Sequence, residues 1–153
     1  MAHIEWTRDL AIGIPVIDGQ HRRIVDYINE LDTIVGSDDR GTVGRVLSDL
    51  VDYTYSHFAF EEALMEEAGY DFLSIHRGSH QAFCSRLDQL RRRFDEGEEV
   101  AAELAAMLGH WLIHHIRHDD DSYADLVREK MLGIERRDQG SWLKNTLQRY
   151  FGR

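Results

Sequence analysis

From Gly19 onward, apolar residues recur at intervals of about three to four, the spacing of one buried helical face, and strand-like alternation is absent. Ile24, Ile28, Leu31 and Ile34 mark a first helix, with Asp18 as its expected N-cap and His21 extending the stripe toward the start. "GSDDRGT" reads as a loop. Val43, Val46, Leu47, Leu50, Thr54, His57, Glu61 and Leu64 form a long stripe on a second helix, which Gly69 should stop, with Asp71 as the next cap. Phe72, His76, His80, Phe83, Leu87, Leu90 and Phe94 mark a third. After the turn "DEGEE", Val100, Leu104, Met107, Leu108, Trp111 and His115 line a fourth. Residues 1–18 have weak helical period and contain Gly13 and Pro15. They read as an extended arm laying Ile4, Trp6, Leu10, Ile12, Ile14 and Ile17 over the core. Such helices with short connections pack most simply as an up-down-up-down four-helix bundle, an all-α fold. The expected organisation is a bundle over 1–132 and a C-terminal extension over 133–153. There Ser141 would cap a short amphipathic helix with Trp142, Leu143, Leu147, Tyr150 and Phe151 on its apolar side.

These stripes carry polar residues in core-facing register. His57, Glu61, His76, His80 and His115 would all point inward, and His21 joins them at the start of its helix. A lone histidine on an apolar face is usually a satisfied core residue. Burying so many polar groups without a shared partner would cost several kcal/mol each. One metal centre removes the penalty for all of them. His57 with Glu61, and His76 with His80, are four residues apart. On a helix such pairs differ by about 40° and lie about 6 Å apart along the axis, so each can aim two ligand atoms at one point.

The remaining candidates separate by register. His110, His114 and His118 share a face about 100° from that of Trp111 and His115. They read as a solvated surface trio, able at most to hold a stray zinc or nickel ion. Glu62, Glu66 and Glu67 read as surface charge beside the inward Glu61. "RHDDD" offers Asp119, Asp120 and Asp121. An aspartate five residues after His115 is rotated about 140° from it on a regular helix and converges only if the helix ends or loosens there. Helix geometry would favour Asp119 and does not decide the matter.

Composition narrows the setting. Lys and Arg number 18 against 28 Asp and Glu, a net charge of -10 that disfavours nucleic acid as a partner. No run approaches the 18 or so apolar residues of a transmembrane helix. The N-terminus lacks a basic segment followed by an apolar run, so no secretory signal is expected. Cys84 is the single cysteine; it forms no internal disulfide, reads as a buried structural thiol, and suits a cytoplasmic location. Arg136, Arg137, Lys144, Arg149 and Arg153 make the tail more basic than the rest. It has three readings: a helix packed on the bundle, a docking surface for a protein partner or a second copy, or a weak anchor on an anionic membrane.

The stretches "IGIPVIDGQHRRI", "HFAFEE", "GYDFLSIHRGSH" and "HWLIHHIRHDD" resemble the bacterial hemerythrins, non-haem di-iron oxygen-binding proteins. The resemblance spans roughly residues 6–121. It implies His21, His57, Glu61, His76, His80, His115 and Asp120 as ligands of two iron ions (Fe2+/Fe3+) bridged by oxide or hydroxide, with Glu61 and Asp120 bridging. Two octahedral metals sharing that set leave one position open, on the side of His21 and His57. The resemblance also implies O2 as the ligand of that position and Trp111, Leu112 and Ile116 as lining of its pocket. The function it implies is reversible O2 binding for storage, delivery or scavenging, without enzymatic turnover. The alternatives are an oxygen or redox sensor signalling through the extension, and a di-iron reductase of peroxide or nitric oxide.

Overall fold

Pro15 opens the first helix, where a fixed φ and a missing N–H cost nothing. A computed structural model describes the backbone of residues 4–120, 123–130 and 141–152, with the side chains at 118–120 and 141 outside the described set. The elements are α1 (Pro15–Thr33), α2 (Arg40–Ala68), α3 (Leu73–Asp95), α4 (Ala101–His114), a π-helical turn (His115–Asp120), α5 (123–130) and α6 (Ser141–Phe151). Among the described residues there is no strand. The expected boundary at residue 132 lies outside them.

Helix α1 therefore begins three residues before Asp18, and Asp18 is not its cap. Instead the Asp18 carboxylate accepts from the backbone N–H of Ile12 at 2.8 Å and of Gly13 at 3.2 Å, tying the incoming arm to the first turn. The arm is extended apart from a 3-10 turn at Arg8–Leu10. It is pinned further on by Asn29, whose amide bonds both the N–H and the C=O of Ile4. Leu10, Ile12, Ile14 and Ile17 are buried as the pattern required.

Helix α2 runs 29 residues, about 43 Å at 1.5 Å per residue. Asp39 caps it, accepting from the Thr42 N–H at 3.2 Å. Gly69 ends it with φ at 74°; the N–H groups of Tyr70 and Gly69 return to the carbonyls of Met65 and Glu66, a Schellman close. Helix α3 starts after Phe72 with no side-chain cap, so Asp71 does not act as one.

Helix α1 packs on α2 and α4, and α2 packs on α3. Their inner faces meet in one core that includes Ile24, Ile28, Leu31, Leu50, Leu64, Leu87, Leu104 and Leu108. Each such side chain taken out of water contributes about 1.5–3 kcal/mol. This core encloses a polar cluster midway along the bundle. Helix α6 lies against α2 through Phe151, whose ring centroid is 5.2 Å from Tyr53 and 6.0 Å from Phe60.

Candidate metal centre

Four elements each deliver part of the cluster. Helix α1 brings His21, α2 brings His57 and Glu61, α3 brings His76 and His80, and His115 stands at the start of the π turn. All six are buried, His21, His57, Glu61 and His115 completely.

The Glu61 carboxylate is the hub. Its Oε1 lies 2.8 Å from His76 Nε2, 3.1 Å from His80 Nε2 and 3.4 Å from His115 Nε2. Its Oε2 lies 3.4 Å from His57 Nε2 and 3.7 Å from His21 Nε2. Two overlapping donor groups result, Glu61 with His76, His80 and His115, and Glu61 with His21 and His57. Within each group the ligand atoms lie within 4.8 Å of one another. Burial alone would raise the Glu61 carboxyl; the imidazoles of His115, His21, His57 and His76 reverse the sign and hold it well below the usual carboxylate range.

The outer ring nitrogens are held as well. His57 Nδ1–H donates to Gln20 Oε1 at 2.7 Å, and His80 Nδ1–H donates to Glu62 Oε2 at 3.0 Å. An amide oxygen and a carboxylate can only accept, so both protons sit on Nδ1 and both Nε2 lone pairs point inward. Arg77 holds Glu62 in turn, Nε to Oε1 at 2.8 Å. Burial would raise the Glu62 carboxyl, but His80 and Arg77 outweigh it and leave it lowered. Glu62 is thus half-buried and bonded to the cluster, unlike the surface charge expected of it. Neither Gln20 nor Glu62 lies on an apolar stripe, so periodicity gave no sign of either.

Aromatic rings fix the remaining freedom. Phe58 stacks on His80 with centroids 4.0 Å apart, and Trp111 stacks on His115 at 4.4 Å. Phe83 backs Trp111 at 3.9 Å. Tyr123 of α5 meets the His76 ring edge-on at 5.4 Å. Leu112 and Ile116 are buried, whereas Trp111 is half-buried. His110 and His114 are exposed, off the cluster's face as their register requires; the His118 side chain lies outside the described residues.

Asp120 ends the π turn, and its side chain also lies outside the described residues. The backbone alone is informative. In a π-helix the hydrogen bond runs from i to i+5, so residue 120 comes round nearly above residue 115. The regular α-helical spacing that favoured position 119 does not hold here.

A helical bundle with a buried cluster of five imidazoles and a carboxylate defines a candidate metal-binding protein. A family model described as "Hemerythrin HHE cation binding domain" matches residues 12–127. A bacteriohemerythrin of Stenotrophomonas maltophilia is 50% identical over 153 residues, covering 99% of this chain and 100% of its own. One of Pseudomonas aeruginosa is 46% identical with the same coverage. A crystal structure of wild-type hemerythrin superposes with a TM-score of 0.79 at 28% identity, covering 82% of this chain and 98% of that one. The chain belongs to the hemerythrin family. Its C-terminal part lies within the length shared with the two bacterial relatives.

Proposed function

We propose that the chain binds O2 reversibly at a non-haem di-iron centre, for storage, delivery or scavenging. The observation that carries this reading is the division around Glu61, with three imidazoles facing one carboxylate oxygen and two facing the other. A carboxylate flanked in this way suits a bridge between two ions. The donor set of nitrogen and carboxylate oxygen, with no thiolate among it, suits iron. His76, His80 and His115 would hold one ion and His21 and His57 the other, with Glu61 and Asp120 between them and an oxide or hydroxide completing the bridge. When bound, an iron pair supplies the Lewis-acidic, redox-active site that O2 requires.

The protein's own part is to orient and to screen. Gln20 and Glu62 keep the His57 and His80 protons on Nδ1 and so keep Nε2 available. Phe58 and Trp111 clamp the rings of His80 and His115. Leu112 and Ile116, with Trp111, form apolar walls that keep bulk water out. Such walls hold and shield without transferring protons, which supports a carrier rather than an enzyme. An unpaired Cys84 suits a reducing cytoplasm, and no described helix is long and apolar enough to cross a membrane.

A sensor is the second reading. It is favoured by the contact of α6 with α2, the helix that carries His57 and Glu61. A protein partner or second copy would meet the outer side of 141–153, where Lys144, Asn145, Gln148 and Arg149 are exposed. Iron analysis of purified protein, with optical spectra through cycles of reduction, air exposure and degassing, tests the principal reading. The expected result is two irons per chain and a band that appears with O2 and disappears without it. Protein that holds no stoichiometric iron, or is only irreversibly oxidised, overturns it.

A further inference from the structure

A groove of about 540 Å³ separates α6 from α1 and α2. Gln20 forms part of its wall although it is only 5% exposed. Its Oε1 is committed to His57, and its amide nitrogen Nε2 is buried with no hydrogen-bond partner. A buried NH2 without an acceptor is unfavourable, so this one calls for an oxygen or nitrogen acceptor arriving from the groove.

The other walls define what could bring it. Tyr53, Tyr150 and Phe151 supply flat aromatic surface from α2 and α6. Burial pushes the Tyr53 phenol up to about 12, so it remains a neutral donor at ordinary pH. Asp49 and Asp52 stand in the lining, and among the described residues no Lys or Arg lines the groove. An anion is therefore disfavoured, and a flat uncharged molecule with an acceptor on its edge is matched.

We infer that this groove binds an uncharged, fused-ring aromatic molecule whose ring carbonyl accepts a hydrogen bond from Gln20 Nε2. The same amide would then carry a relay from ligand to His57. An acceptor on Nε2 polarises the amide, strengthens Oε1 as an acceptor, and tightens its hold on the His57 Nδ1–H. This coupling rests on the di-iron reading, whereas binding in the groove does not.

Riboflavin, a neutral fused-ring dicarbonyl, is the probe, with its phosphate ester FMN as the anionic control. Each is titrated by fluorescence into the full chain as purified and after iron loading. The expected result is saturable one-to-one binding of riboflavin, with FMN at least tenfold weaker. Asp49→Asn with Asp52→Asn should narrow that gap. Gln20→Leu should weaken riboflavin at least tenfold while helicity by circular dichroism is retained. If Gln20→Leu fails to fold, Phe151→Ala, on the opposite wall, should produce the same loss. Absence of saturable binding, as when water alone fills the groove, overturns the proposal, and so does equal affinity of wild type and the folded variant. In iron-loaded protein, riboflavin should shift the metal absorption, and an unshifted spectrum at saturation overturns the relay. Riboflavin binding by protein that never takes up iron would sink the di-iron reading and leave the groove standing.

Discussion

Glu61 sits where a carboxylate is hardest to keep ionised. Removing one imidazole from around it should matter far more than removing a surface histidine. His76→Ala should sharply lower bound iron per chain, and His114→Ala should leave it near the wild-type value, both measured by elemental analysis. Equal losses would mean that the inward register has been misassigned. Glu62→Ala acts one bond further out. Freed from its acceptor, His80 can place its proton on Nε2, and metal affinity should fall by about 10–100-fold in competition with a chelator. His57, Glu61, His76 and His80 were legible because each interrupts an apolar stripe at helical spacing. Gln20 and Glu62 were not, since their roles depend on which ring lies opposite across a helix interface, and one sequence carries no such distance. Cys84 gives a separate check. Burial, with Asp88 and Glu62 nearby, pushes its thiol from 9.0 up to about 12. Its contribution to stability is present below about pH 9 and is lost as pH rises toward 12. Alkylation by iodoacetamide at pH 8 should be much slower in the folded chain than in the denatured one.

Helix ends were less legible than helix faces. Gly69 was readable as a stop because only a residue without Cβ adopts φ of 74° at no cost. A Cβ built there would touch nothing within 4 Å, so the cost of Gly69→Ala is conformational alone. It should be about 1–2 kcal/mol, a fall in Tm of roughly 2–8 °C by calorimetry. The start of α1 was misread. Asp18 followed by a periodic run looks like a cap, but Pro15 already has the φ of a first turn, and Asp18 is then free to hold the arm. The apolar side of α6 was visible in Leu147, Tyr150 and Phe151. That it closes over Gln20 was not, because the intervening residues carry no pattern that sets a direction.

In the whole molecule, six buried polar side chains from four elements share one small volume. Without an ion they must satisfy one another with imperfect contacts, so metal should stabilise the native chain well beyond its local bonds. Stripping iron with a chelator should lower Tm, by an amount equivalent to about 2.7 kcal/mol where free metal had stood at 100 times its Kd. An unchanged Tm would show that the cluster tolerates its own burial.

The wide turn at 115–120 also reaches past the cluster. One residue fewer there, as in a deletion of Arg117, would rewind the stretch to ordinary pitch and swing everything beyond it by about 100° about the axis. Tyr123, Ala124 and Val127, now interior, would rotate toward solvent together. The surplus residue works as a phase offset: it lets a single rod present one face to the bundle before the turn and a differently timed face after it.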